Sequence, residues 1–493
     1  MNLRLFNSLT REIEDFIPLD PKSVGIYACG PTVYDFASIG NFRTYTVSDV
    51  LVRTLKFSGL KVNYVMNLTD VGHLTGDNSG DADTGIDRME KGAKREGKTA
   101  WEIAEFYINA FFKDYQKLNL TEPNKFPRAT EHIKEQIELI KKLEENKLTY
   151  KTSDGVYFDT IAYEKTTHKK YGELSNLDQI QEGARVEKNP EKKNPRDFAL
   201  WKFSPKNEKR HMEWESPWGL GFPGWHIECS AMSMKYLGES FDLHTGGEDL
   251  KQTHHPNEIA QSEGATQKPF VKYWLHVTFL KVNGQRMGKS LGNFYTLSDV
   301  EAKGFSPLSL RYFYLSGHYQ EPLNFSWEAL RAAQNSLTKL TSIVSNLKNT
   351  KEDQRTKLSE EKMLKIDSFR DEFTAALNNN LNTPQALAVL WEVVKSNIPS
   401  PDKLDLVYLF DEVLGLNLNQ ITENKVIGEK KTEKGIITWY VPISQTTIKA
   451  LENRLETKAQ KDFDKADAIR KELEEKEHIV IVDHPLGTII KSK

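Results

Sequence analysis

Cysteine is scarce in this chain: 493 residues contain two, Cys29 and Cys229, with no CxxC spacing. A disulfide scaffold is thereby excluded, and a reducing compartment, the cytosol, is the expectation. No run of about 18 apolar residues occurs, so no membrane span is expected. Charge of one sign is not in excess either. The net charge of −3 excludes a globally basic nucleic-acid binder but leaves room for local Lys and Arg patches. The loops that carry Gly30, Gly40 and Lys289 lack both the G-x-G-x-x-G and the P-loop signature, which sets aside dinucleotide dehydrogenases and P-loop NTPases. Met1–Phe6 lacks the apolar core of a signal peptide and reads as a first strand.

What is present predicts an α/β chain, too long for one core and divided into about three or four structural units. Its organising stretch runs from Val24 to Asn41. Residues 24–29 read as a buried strand that ends at a Gly30-Pro31 turn. Cys29 then sits at the strand's carboxyl end, where open α/β sheets place ligands. Gly40-Asn41 would open the next helix and offer backbone N–H groups to a phosphate. The spacing of Val47, Val50, Leu51, Thr54 and Leu55 predicts that helix over 43–58, and 61–67 reads as a second strand. Strand, helix and strand in this order make a parallel sheet, with Asn67 to Asp70 on the same rim as Cys29.

Further along, 72–85 reads as a loop, 99–148 as mostly helical, and 121–215 as an insertion into the sheet domain or an independent domain. Residues 187–196 read as a charged loop within it. Trp218–Trp225 reads as a rigid aromatic loop, 226–232 as the start of a helix, and 241–244 and 271–280 as strands. Pro256 suits the first turn of a helix beginning at His254. From Pro307 to Leu416 the pattern is helical. Residues 423–434 read as a solvated linker. One long final helix is expected to carry Ile448, Leu451, Leu455, Ala459, Phe463, Ala466, Ile469 and Leu473 on one face.

Three constellations carry chemistry. Cys29, Cys229, His254 and Glu258 come from three segments at the rim of one sheet, and two thiolates, an imidazole and a carboxylate suit zinc. On spacing alone, two buried cysteines acting as small hydrophobes are the more frequent explanation of the pattern. The Gly30–Gly40 loop and the Gly-punctuated Lys289 loop suit phosphates, or are ordinary turns. Trp225 would wall a pocket beside Cys229, with His226 or His244 as hydrogen-bond donor or as satisfied core histidines. The basic residues of the last helix interleave with Glu and Asp, so a solvated face competes there with a phosphate-backbone contact.

Taken together, several blocks resemble the cysteinyl-tRNA synthetase family of class I aminoacyl-tRNA synthetases. They are Tyr27-Ala28-Cys29-Gly30-Pro31-Thr32-Val33-Tyr34-Asp35, Asn67-Leu68-Thr69-Asp70 and Asp197-Phe198-Ala199-Leu200-Trp201-Lys202. Gly224-Trp225-His226-Ile227-Glu228-Cys229-Ser230, Gly246-Gly247-Glu248-Asp249 and His254-His255-Pro256-Asn257-Glu258 continue the match. The resemblance implies a Rossmann-like parallel-sheet catalytic domain with an insertion, followed by a helical bundle and a small anticodon-binding unit. Its expected boundaries are 1–120 and 216–306 for the catalytic halves, 121–215 for the insertion, 307–425 for the bundle and 426–493 for the last unit. It also implies one zinc ion on Cys29, Cys229, His254 and Glu258, and a cysteine pocket lined by Gly30, Thr69, Trp225 and His244. Gly40, Asp249, Arg286 and Lys289 would bind ATP with its Mg2+, and Lys289, Ser38 and Asn41 would be catalytic. The implied partners are ATP, L-cysteine and tRNA(Cys), with no membrane, for a chain expected to be a monomer.

The chain departs from the family at two motifs. Where class I enzymes carry His-Ile-Gly-His it has Ser38-Ile39-Gly40-Asn41, and where they carry Lys-Met-Ser-Lys-Ser it has Arg286-Met287-Gly288-Lys289-Ser290. Asn41 can act as a neutral donor at a helix start, whereas Ser38 is short for reaching phosphates. On that reading, Ser38→His raises adenylate formation. The competing readings are a paralogue that joins activated cysteine to a small amine, and a non-catalytic synthetase-like binding protein.

Overall fold

Short apolar runs bounded by polar turns become the strands of a parallel sheet in the computed structural model of the protein. The structure describes residues 3–72, 87–175, 190–205, 210–348, 358–420, 428–439, 444–477, 479–484 and 487–492. The expected loop over 72–85 lies outside the described residues apart from Gly72, as do residues 187–189 of the charged loop.

The sheet has the order Val271–Val277, Phe241–Gly247, Val24–Ala28, Val62–Met66, and every neighbouring pair is parallel. Helix Ile39–Phe57 joins Val24–Ala28 to Val62–Met66, and helix His254–Thr266 joins Phe241–Gly247 to Val271–Val277. The two units diverge from the central pair of strands. Strand order reverses there, and such a switch point is where open α/β sheets accept ligands. The strands are buried almost throughout, which is why they read as continuous apolar runs and not as alternating ones.

Helix Ile39–Phe57 opens at Gly40-Asn41 as expected, four residues ahead of the span that its apolar spacing marks. Ser38 caps it by accepting the Asn41 N–H, and the Asn41 side chain accepts the Ser38 N–H in return. This capping box satisfies donors that a bare Gly-Asn start would have left open. Two other sequence readings shift for similar local reasons. The strand expected over 271–280 stops at Val277, and Leu280–Val282 joins a separate sheet with Gln285–Arg286 and Leu323–Phe325. Within the expected aromatic loop, Gly221–Pro223 is a strand paired with Trp201–Phe203. It closes an antiparallel sheet whose other strands are Thr149–Lys151, Gly155–Phe158 and Phe198–Phe203. The inserted segment packs Ile140, Leu143, Phe158 and Trp201 into one core with Ile227, Ala231 and Ala260 from the helices of the parallel sheet.

The expected first strand is present as Arg4–Asn7, paired antiparallel with Glu12–Asp15. After the sheet come the helices Leu297–Ala302, Pro307–Leu315, Trp327–Lys348, Glu360–Asn378, Thr383–Lys395 and Ser400–Leu414. Gly415, at φ 64°, ends the last of them in the left-handed conformation that glycine adopts without cost.

The chain divides into two compact units, Met1–Val344 with Glu352–Asn419, and Ser345–Lys351 with Gln420–Lys493. The smaller unit contains a sheet of order Gly428–Thr432, Gly435–Trp439, Gly487–Ser492, Ile479–His484. Its core is Ile437, Leu451, Leu455, Leu473, Ile479, Ile481 and Ile490. Residues 428–432, read from the sequence as linker, are a strand because the Thr432 hydroxyl donates to Gly435 O at 2.7 Å and closes a hairpin. The single long helix is in fact two, Gln445–Ala459 and Phe463–Lys476. Lys461 breaks it at φ 64°, and the Asp462 side chain caps the second helix. Phe463 is consequently 58% exposed and not part of the buried face. Among the described residues no helix is long and apolar enough to cross a membrane.

Candidate active site and metal centre

The two central strands deliver their following residues into one buried cluster. Cys29 comes directly after Val24–Ala28, and its N–H donates to Thr245 O of the neighbouring strand at 3.1 Å. Cys229 lies in helix Trp225–Leu237, and His254 and Glu258 open helix His254–Thr266. One ligand atom from each of Cys29, Cys229, His254 and Glu258 lies within 4.8 Å of the other three, and all four residues are buried. The i, i+4 spacing puts His254 and Glu258 on one helix face, with Glu258 Oε1 3.0 Å from His254 Nε2. That oxygen has no aligned hydrogen bond although it is buried. An unsatisfied buried carboxylate oxygen is costly, and a cation satisfies it. Two thiols, an imidazole and a carboxylate are a tetrahedral zinc donor set, so the residues present fit that metal. A second group, Cys29, His244, His255 and Glu258, meets the same distance limit. It offers one thiol in place of two and is the harder set.

Electrostatics tie the cluster together. Burial, followed by the contact with Cys229, pushes the Cys29 thiol well up, while the hydrogen bond from Cys29 lowers Cys229. Burial raises Glu258, but His244 and His254 outweigh it and the carboxyl is lowered. Burial opposes charge on His254, yet the Glu258 carboxylate and Cys229 outweigh it and bring the imidazole up to about 10. A metal entering the site displaces that proton. His226 Nδ1 lies 2.8 Å from His254 Nδ1, which leaves Nε2 of His254 for the cluster. The half-buried Trp225 ring stands over His254 at 4.4 Å between centroids.

Gly30 and Thr69 share the rim with Cys29. The Gly30 N–H donates to Asn67 Oδ1 at 2.9 Å, and a Cβ at residue 30 would stand 1.8 Å from Asn67 O, so only glycine permits this approach. Asn67 Nδ2 donates to Thr69 Oγ1 at 3.1 Å. His244 is fully buried behind Glu258, with Nε2 3.0 Å from Oε2, and it stacks on Trp274.

The other predicted residues gather at the start of helix Ile39–Phe57. Ser38 is buried and Asn41 exposed. The Lys289 loop is docked against them. The Ile39 N–H donates to Tyr295 O at 2.9 Å, and a Cβ on Gly40 would stand 2.5 Å from Met287 Cε. Lys289 Nζ is ion-paired with the Asp35 carboxylate, and burial lowers its pKa. Arg286 is exposed, with its guanidinium 5.9 Å from the Phe279 ring centroid. Asp249 is exposed on the turn Glu248–Lys251 that follows Phe241–Gly247.

Sequence reasoning missed His255, His276 and Asp35. Cys29 Sγ is 3.4 Å from His255 Nε2, and His255 Nδ1 is 2.8 Å from His276 Nε2. Burial drives both imidazoles well below their usual pKa and keeps them neutral. His255 was signalled by its place beside His254 and three residues before Glu258. His276 had no such signal, because it falls inside an apolar strand run.

The fold superposes on Mycobacterium tuberculosis methionyl-tRNA synthetase in complex with methionyl-adenylate with a TM-score of 0.57 at 14% identity, covering 82% of this chain and 92% of that one. This is the class I aminoacyl-tRNA synthetase fold. Sequence comparison is more specific. The profile of the tRNA synthetases class I (C) catalytic domain matches residues 15–335. Cysteine–tRNA ligase of Treponema denticola is 45% identical over 501 residues, covering 96% of both chains. Cysteine–tRNA ligase 1 of Burkholderia lata is 43% identical over 96% of this chain and 93% of that one. Cysteine–tRNA ligase of Borreliella burgdorferi is 39% identical over 100% of both. The chain belongs to the cysteinyl-tRNA synthetase family.

Proposed function

We propose that this chain is a cysteine–tRNA ligase that activates L-cysteine with ATP and Mg2+ and transfers it to tRNA(Cys), working in the cytoplasm as a monomer. The observation that carries this reading is the buried Cys29, Cys229, His254 and Glu258 cluster on the rim shared with the docked Lys289 loop. In the first step a cysteine carboxylate oxygen bonds to the α-phosphorus of ATP as the bond to pyrophosphate breaks. In the second a ribose hydroxyl of the terminal adenosine attacks the carbonyl carbon and AMP leaves. Positioning and charge stabilisation make up most of the catalytic task.

Zinc on Cys29, Cys229, His254 and Glu258 supplies a soft Lewis-acid position that prefers a thiolate to a hydroxyl, a discrimination that size alone cannot make. Gly30, Thr69, Trp225 and His244 line or back the cysteine pocket. Gly40, Asp249, Arg286 and Lys289 bind ATP, and Lys289, Ser38 and Asn41 promote adenylate formation. Lys289 must exchange Asp35 for a phosphate when ATP binds. The segments 1–120 and 216–306 form the catalytic domain that performs activation, 121–215 its connective insertion, 307–425 the helical bundle, and 426–493 binds the anticodon. Relatives of this name, aligned over nearly the whole chain, do not favour the amine-ligase or the non-catalytic reading.

Purified protein is expected to show cysteine-dependent ATP–pyrophosphate exchange, to charge tRNA(Cys) and to contain one zinc per chain. Exchange without charging would point to the amine ligase. Loss of both activities removes the enzyme reading, and metal-free protein that still selects cysteine over serine removes the zinc assignment.

A further inference from the structure

The Ser38–Asn41 pair does more than cap a helix. Asn41 Oδ1 accepts two hydrogen bonds, from the Ser38 N–H at 2.9 Å and from the Ser38 hydroxyl at 2.7 Å. A backbone N–H only donates, so the atom that faces it is the amide oxygen. Asn41 Nδ2 is therefore turned the other way, on an exposed residue, with no acceptor among the described residues. The backbone beside it has one comparable donor. The Ile39 N–H goes to Tyr295 O, the Asn41 N–H to Ser38 Oγ and the Phe42 N–H to Ser38 O, while the Gly40 N–H has no acceptor among the described residues.

We infer that Ser38 is a positioning residue for adenylate formation: its N–H and hydroxyl lock Asn41 so that Nδ2 donates to the phosphate oxygens of ATP beside the Gly40 N–H. The inference rests on the ATP-dependent activation proposed above. Ser38 does not itself touch the phosphates. It is 5% exposed, its hydroxyl proton is engaged by Asn41 Oδ1 and its oxygen by the Asn41 N–H. An asparagine amide without this lock presents its carbonyl to the phosphates in one of its two flips, and oxygen facing oxygen repels. With the lock, only the donor face is presented. The positive charge comes separately from Lys289, paired with Asp35 three residues before Ser38.

The test measures pyrophosphate exchange and thermal unfolding of the full chain as wild type, Asn41→Asp, Ser38→Ala and Ser38→Thr. Asp at position 41 keeps the accepting oxygen, hence the cap, and exchanges the donor for a second oxygen. Its Tm is expected to stay within about 2 °C, while kcat/KM for ATP falls roughly 100-fold. Ser38→Ala is expected to lower Tm by a few degrees and to raise KM for ATP about three- to tenfold. Ser38→Thr restores both. Exchange by Asn41→Asp within twofold of wild type overturns the inference, as does a Ser38→Ala variant with lowered Tm and unchanged KM for ATP. A wild type without cysteine-dependent exchange overturns the activation reading itself and the inference with it, so the two failures are distinguishable.

Discussion

His226 bears on the candidate metal cluster without belonging to it. By engaging Nδ1 of His254 it orients the imidazole whose Nε2 faces Glu258. Loss of such an outer partner typically costs about 10- to 100-fold in metal affinity. His226→Phe is expected to fall in that range in a chelator competition, with all four ligands intact. Ser38→His, which the motif alone suggests should raise adenylate formation, is now expected to lower it, because the imidazole replaces the hydroxyl that orients Asn41. Asp70 gives a pH signature. Burial raises its carboxyl to about 6, against hydrogen bonds from Thr130 that lower it. The folded chain thus holds this proton more tightly than the unfolded one, and stability falls as pH rises from about 4 to about 6, by on the order of 3 kcal/mol. Asp70→Asn should flatten that part of the profile in urea unfolding at stepped pH.

Among elements, helix Ile39–Phe57 is anchored at its middle as firmly as it is capped at its start. Asp49 is fully buried between Arg311, at 2.5 Å, and Arg53, at 2.9 Å. Burial raises its carboxyl, and the two guanidinium groups more than reverse this and lower it. Arg311 also donates to Leu414 O and Leu118 O, so one side chain joins three segments of the larger unit. Arg311→Leu leaves Asp49 with one cation in a dry site. A loss of about 3–5 kcal/mol is expected in denaturant unfolding, with part of it recovered in the Arg311→Leu, Asp49→Asn double variant. The elements also show where pattern reading stopped short. Helical spacing located this helix from Arg43 on and the Gly40-Asn41 step its start, but neither showed the Ser38 cap, which depends on a side chain folding back three residues. The same periodicity ran through Lys461, where one left-handed residue divides the last helix.

For the whole molecule, the division into two units predicts separable activities. The larger unit holds all the candidate zinc, cysteine and ATP residues, and the smaller has its own core. A chain ending at Asn419 is expected to retain cysteine-dependent pyrophosphate exchange within about threefold while tRNA charging falls at least about 100-fold, a split read as lost binding and not lost chemistry. Equal loss of both activities would show that the smaller unit is needed for activation.

The sequence by itself determined the strand–helix–strand units, the parallel sheet and the residues at its rim, since these follow from apolar runs, turn residues and helical spacing that any local window contains. It also pointed to Cys29, Cys229, His254 and Glu258 as a candidate zinc set, through blocks that resemble the cysteinyl-tRNA synthetase family. Only the tertiary structure decided that those four side chains converge within 4.8 Å, that a second group around His255 shares two of them, and that Lys289 rests on Asp35. The reason is physical. Convergence across 200 residues is set by strand order and helix packing, and the direction in which Asn41 points is set by two hydrogen bonds from Ser38.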